Sequence, residues 1–183
     1  MLDDLAWLSS SEKRLPTAQL KTIFSGISLC SIRLSGAVPK RPGNLTVEEL
    51  CVVAMICQHL APRRIFEFGT CNGRTTLNLA MNRPEDAVIF MLDLPQPGSA
   101  LLATGKHDEA FQLGARTGFF FRGTPFEGKI RQIWNDSALF DESPYRSQMD
   151  LIFVDGSHTY EYMRNDTTKG TEHARARQRA ALA

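Results

Sequence analysis

The sequence predicts an α/β protein built on a doubly wound, open parallel sheet. Three observations carry that expectation. From Ile65 onward, short β-branched and aromatic runs alternate with helix-like segments, the pattern that right-handed crossovers turn into a parallel sheet. Two of the runs, Ala87–Leu92 and Met149–Val154, are nearly continuous apolar stretches, as strands covered on both faces should be. Each of the four runs also ends in or just before an acid: Glu67, Asp93, Asp136 and Asp155. Ligands of open α/β sheets bind outside the carboxyl ends of the strands, so these four acids are expected to share one crevice.

The elements follow in order. The first 45 residues read as an N-terminal helical arm, with Leu20, Ile23, Phe24 and Ile27 at i, i+3, i+4 and i+7. Pro39, Pro42 and Gly43 then mark a loop. Thr46 followed by Glu49 is a capping box. It opens a helix to about Leu60, apolar at Leu50, Val53, Ala54, Cys57 and Leu60, with Pro62 ending it. Strand one is Ile65–Glu67. A G-x-x-x-G turn (Gly69 and Gly73) leads into a helix from Thr75 to Asn82. Strand two is Ala87–Leu92, followed by a loop from Pro95 to Gly105. The remainder of the insertion to Gly128 carries Phe119-Phe120-Phe121, read first as a buried edge segment and second as a pocket wall. Strand three is Lys129–Trp134, strand four Met149–Val154, and a helix should run from Tyr160 to about Thr168. Tyr160 and Tyr162 read as packing residues or as pocket lining. Residues 46–168 are thus one domain. The segment 169–183 is rich in Ala and Arg with almost no apolar face, and is expected to be a basic tail that packs poorly.

Composition narrows the function classes. A net charge of +1 over 183 residues gives no global field to attract nucleic acid or an anionic membrane, so neither is expected as a partner. The longest apolar run, Leu50–Cys57, is too short to cross a bilayer. The Met-Leu-Asp-Asp start lacks the basic and apolar regions of a secretory leader. The four cysteines (30, 51, 57 and 71) form no C-x-x-C pair and no zinc spacing. Reduced thiols in a cytoplasmic protein are the expectation.

The turn after strand one carries the chemistry. A strand that bends into a helix leaves unpaired N–H groups at the bend. Glycine there lets a ligand approach the main chain. Asp93, 24 positions after Gly69, suits two ribose hydroxyls. Asp136 reads as an acceptor for an exocyclic amine or as an N-cap. His158 reads as a general base, because its unperturbed pKa lies near neutrality, or as a polar cap. A dinucleotide fingerprint needs glycine at position 71, where the chain has Cys71. That argues against a nicotinamide-dependent oxidoreductase.

The stretches IFEFGTCNGRTTLNLA, VIFMLDLP, RGTPFEGKIRQIWNDSALF and MDLIFVDGSHTYEYMRNDT together resemble the class I S-adenosylmethionine-dependent methyltransferases. More narrowly they are similar to the bacterial small-molecule group called methyltransferase family 24. The resemblance implies a Rossmann-like sheet in the order 3-2-1-4. It implies that Glu67, Phe68, Gly69, Thr70 and Gly73 cradle the methionine part of the cofactor, that Asp93 holds the ribose and that Leu94 lies beside the adenine. Asp136 and Ser137 would contact the adenine, and Asp155 would lie near the transferred methyl group. Asp155 and His158 are the implied catalytic pair. The implied reaction is in-line transfer to an oxygen of a small-molecule acceptor, with S-adenosylmethionine as cofactor. Mg²⁺ on Asp155 is possible and stays undecided, since no second carboxylate is adjacent in sequence. Strands five to seven of such folds are missing from the sequence, so strand four is expected to be an apolar edge open to a second copy. A non-catalytic cofactor-binding remnant is the alternative reading.

Overall fold

In the computed structural model, residues 18–36, 43–106, 108 and 117–175 are described. Strands β1 (Arg64–Phe68), β2 (Val88–Asp93), β3 (Ile130–Trp134) and β4 (Leu151–Val154) pair in parallel in the order β3-β2-β1-β4. This is the expected Rossmann-like order. Phe68 stands opposite Leu92 on one side and Val154 on the other, so the carboxyl tips of β1, β2 and β4 finish level. Every acid at those tips therefore opens onto the same end of the sheet.

Alternation along the strands builds two cores. Ile65, Ile89, Met91 and Ile130 face one side and pack with Cys57, Leu77 and Leu79. Phe66, Phe68 and Leu92 face the other and pack with Phe140 and Met149. Helices α2 (Val47–Leu60) and α3 (Arg74–Met81) cover the first face. Helix α4 (Tyr160–His173) packs on β4, where a Cβ on Gly170 would stand 3.2 Å from Ile152. The capping box forms as expected. The Thr46 hydroxyl accepts from the Glu49 N–H at 3.2 Å, and the Glu49 carboxylate accepts from the Thr46 N–H at 2.7 Å.

Two expectations change. Among the described residues of the N-terminal arm, the α-helix is confined to α1 (Leu20–Ile23), a 3-10 turn follows at Ile27–Leu29, and of the proposed apolar face only Ile27 is buried. The chain then runs extended along α3, because Asn78 and Asn82 offer it paired amides one helical turn apart. The Asn82 amide exchanges two bonds with the Arg33 backbone at 2.7 and 2.8 Å, and the Asn78 amide exchanges two with the Ser35 backbone at 2.9 Å. These buried amides act as a short strand edge, and satisfying them outweighs continuing a helix. Residues 1–17 lie outside the described residues.

The C-terminal helix also runs past Thr168 to His173, so the start of the supposed tail is packed. Gly170 and His173 are buried, and Ala174 makes a parallel bridge to Met149. His173 is the apolar anchor that the sequence disguised. Its ring is fully buried among Phe66, Phe68, Phe140 and Tyr145, stacked on Phe68 at 5.6 Å. Among the described residues neither ring nitrogen has a hydrogen-bond partner. Residues 176–183 lie outside the described residues.

Burial pushes the His173 imidazole down to about 4 from an ordinary 6.5. The unfolded chain therefore takes up a proton that the native state refuses, and stability is lost as pH falls through that window. His173→Phe should remove this acid-side loss in urea unfolding curves between pH 7 and pH 4. It should also stabilise the chain at pH 7, because unpartnered buried polar groups cost about 1–3 kcal/mol. An unchanged pH profile would contradict this account. A second test concerns Gly69 (φ +81°), where an added Cβ would lie 2.4 Å from the Asp155 carbonyl oxygen. Gly98 has φ +78° and open space around it. Gly98→Ala should cost only the left-handed backbone penalty of about 1–2 kcal/mol, and Gly69→Ala distinctly more by the same measurement. Equal losses would contradict the close approach.

Candidate functional site

Over the level strand tips lies a cleft of about 630 Å³. The turn after β1, the end of β2 and the loop after β4 build its floor. Phe68, Gly69, Asp93, Leu94, Ser137 and Asp155 line it, together with His158. Seven of the expected site residues are thus gathered in one place. Four others sit elsewhere, each for a visible reason.

Glu67 lies beneath the turn, almost fully buried, and the Thr76 hydroxyl of α3 donates to it at 2.5 Å. Its position on β1 directs it to the helix side of the sheet rather than into the cleft. Burial pushes its carboxyl up to about 8; the Thr76 bond opposes that rise, and Asp155 and Asp93 add to it. Thr70 is buried and Gly73 forms the N-cap of α3. A Cβ on Gly73 would strike the Phe121 ring at 2.6 Å, so this glycine admits a phenylalanine rather than a ligand. The same contact places Phe121 of the aromatic triplet in the core, while Phe119 stays half exposed. Asp136 is buried and its carboxylate is already engaged. It accepts from the Tyr162 hydroxyl at 2.9 Å, from the Ala138 N–H at 2.8 Å and from the Leu101 N–H. It ties three segments together and lies outside the lining of the cleft. Tyr162 is buried and lines the cleft, and Tyr160 is exposed.

Electrostatics separate the carboxylates. Burial raises Asp93 to about 6, against the backbone N–H bonds from Leu94, Thr70 and Cys71 that favour its charge. Burial likewise raises Asp155 to about 6, with His158 opposing the rise and Glu49 adding to it. Among the described wall residues there are five carboxylates (Glu49, Asp93, Asp108, Asp155, Asp166) and no Lys or Arg. Among the described residues no group of three or more His, Cys, Asp or Glu stands where it could hold a metal ion. Asp155 therefore has no assembled ligand set for Mg²⁺.

Sequence reasoning missed Asp108. It lies in the long insertion, where no periodicity or motif marks it. The structure brings its buried carboxylate against Ser157 and His158. Cys71 also lines the cleft, with a left-handed backbone (φ +50°). The turn thus keeps a glycine-like shape without glycine at that position.

This sheet order, with helices on both faces and a cleft at the strand tips, defines a Rossmann-like methyltransferase fold. A family model described as a methyltransferase domain, family 24, matches residues 66–177, more than half of the chain. The chain belongs to that family. No curated protein matches it. Among solved structures, it is similar to the O-methyltransferase TomG from Streptomyces achromogenes, involved in tomaymycin synthesis and in complex with S-adenosylmethionine. The identity is 15%, the TM-score 0.55, and the match covers 84% of this chain and 67% of that one. Cofactor-bound Rv0187 from MTB is similar at 16% identity and a TM-score of 0.49, covering 85% and 60%. An O-methyltransferase from Bacillus cereus bound to S-adenosylhomocysteine is similar at 14% and 0.46, covering 87% and 65%. The match thus spans between three fifths and two thirds of the length of these structures. No described helix is long and apolar enough to cross a membrane.

The Glu67 environment generates a test. With its carboxyl raised from 4.5 to about 8, the native state holds a proton that the unfolded chain releases. The resulting stability is complete below about 4.5 and is lost as pH rises through 8. Glu67→Gln keeps an acceptor for Thr76 and cannot titrate. Thermal melts should show the variant gaining on the unaltered chain from pH 5 to about pH 8 and levelling off above it. A constant difference would mean that Glu67 is ionised in the fold.

Proposed function

We propose that this chain binds S-adenosylmethionine in the cleft and transfers its methyl group to an oxygen of a small-molecule acceptor. The observation that carries the reading is the acid-lined cleft over three level strand tips, with Asp93 and Asp155 beside the Gly69 turn. The residues present fit the cofactor. Asp93 is an acceptor suited to a pair of sugar hydroxyls. A wall with five carboxylates and no described Lys or Arg suits a sulfonium cation. The volume falls in the range of small-molecule sites. Family membership supports the reaction, and the O-methyltransferase name of the similar TomG structure supports oxygen as the acceptor atom.

When bound, the cofactor supplies an already activated methyl group. The chain's tasks are alignment, exclusion of water and removal of one proton. Asp93 would hold the ribose, Leu94 would offer an apolar face to the base, and Ser137 would supply a polar contact. Asp155 would stand near the sulfonium and stabilise it while ionised. His158 would accept the acceptor's hydroxyl proton. The balance closes: oxygen gains the methyl carbon, its proton goes to the imidazole, and a neutral thioether leaves.

Calorimetric titration tests the binding half. Asp93→Ala should weaken both S-adenosylmethionine and S-adenosylhomocysteine by roughly 10- to 100-fold, the value of charged hydrogen bonds of about 1.5–3 kcal/mol. Lowering the pH from 7.5 to 5 protonates groups with pKa about 6. It should weaken S-adenosylmethionine more than its homocysteine product, because only the former is a cation. Failure of the unaltered chain to bind either, or equal binding by Asp93→Ala, would sink the reading. Binding without labelled methyl transfer to any hydroxyl acceptor would instead assign a cofactor-binding module.

A further inference from the structure

We propose that Asp108 is a positioning residue that holds the His158 imidazole with its proton on Nδ1 and leaves Nε2 bare as the accepting atom. The inference deepens the proposed function and rests on it for the role of His158, but its geometry stands alone. The two Asp108 oxygens are used differently. Oδ2 accepts from the Ser157 hydroxyl at 2.7 Å, from the His158 N–H at 3.1 Å and from the Gly105 N–H at 3.4 Å. Those bonds clamp the carboxylate against the loop after β4. Among the described residues, Oδ1 then faces one group, His158 Nδ1, at 3.0 Å.

The carboxylate is nearly buried at 7% exposure, while the imidazole is 68% exposed at the cleft wall. The fixed partner is therefore the acid and the oriented partner is the ring. Burial alone would raise the Asp108 carboxyl. The bonds from Ser157 and His158 overcome that and hold it below its ordinary value. An ionised carboxylate only accepts hydrogen bonds, so Nδ1 of the neutral ring must be the donor. Fixing one nitrogen fixes the function of the other. Without the clamp, a half-exposed loop histidine would sample both tautomers and many orientations, and only a fraction of them would meet an acceptor hydroxyl. Nothing in the local sequence announces the pairing, since the two residues lie 50 positions apart.

The tautomer is directly readable. In ¹⁵N-histidine spectra of the full chain at pH 8, with His158→Gln used to assign the ring, Nδ1 of His158 should show the protonated shift and Nε2 the bare one. Asp108→Ala should move His158 toward the Nε2-protonated mixture of a free imidazole. Ser157→Ala removes one bond to Oδ2 and leaves Oδ1 on Nδ1, so it should keep the Nδ1-protonated form. A purely structural clamp would not distinguish these variants by tautomer. An Nε2 proton on His158 in the unaltered chain overturns the inference, as does an unchanged tautomer in Asp108→Ala. If Asp108→Ala does not fold, the unaltered chain and Ser157→Ala still decide. The measurement needs no ligand. Failure to bind S-adenosylhomocysteine in parallel titrations would count against the proposed function, while the tautomer result stands.

Discussion

The site depends on one close approach. At Gly69 the tip of β1 meets the loop after β4 so tightly that a Cβ would lie within 2.5 Å of Asp155 and Gly156 backbone atoms. Two main-chain bonds lock the contact: Gly69 N–H donates to the Leu92 carbonyl at 2.9 Å, and Asp155 N–H to the Phe68 carbonyl at 2.9 Å. Three strand tips are joined there with no side chain between them. Asp93, Asp155 and His158 face one cleft because this junction leaves no slack. Glycine at position 69 thus serves the protein's own packing, and the cleft is a consequence of it.

A second layer of buried polar groups holds the junction's surroundings. Asp136 ties the Leu101 backbone and the Tyr162 hydroxyl to the loop after β3. Glu67 anchors α3 through Thr76. Asn78 and Asn82 hold the N-terminal strap along α3. Each is a polar side chain in a place that apolar residues usually fill, and each is satisfied by a specific partner, as burial demands. The acids that sequence assigned to a ligand therefore split into two sets. Asp93 and Asp155 line the cleft and stay partly open to it. Glu67 and Asp136 are buried away from it. The split also explains the spread of their ionisation: Glu67, sealed from water, is pushed higher than the two cleft acids, which burial raises only to about 6.

Local patterns made the sheet legible. The apolar run of β2 is continuous because both faces are covered, whereas β4 stands at the sheet edge with every residue at least partly exposed, and the capping box at Thr46 and Glu49 is a contact within four residues. The cleft acids were legible for a similar reason: a residue at a strand's carboxyl end has few directions in which to point. Asp108 was not legible, because its role comes from a contact between segments 50 positions apart. His173 misled for a related reason. A histidine in a run of Arg and Ala reads as solvated, yet an aromatic cage assembled from β1 and the segment before β4 encloses it.

What the sequence determined unaided was the alternation of strands and helices, the placement of acids at strand ends and the resemblance that follows from both. These depend on period, length and short-range chemistry, which a linear string preserves. The tertiary structure alone decided which acids open to the cleft, which glycines admit a phenylalanine and which carboxylate meets the histidine. Those outcomes turn on distances of about an ångström between segments remote in the chain, and burial and hydrogen bonding settle them only once the sheet has closed.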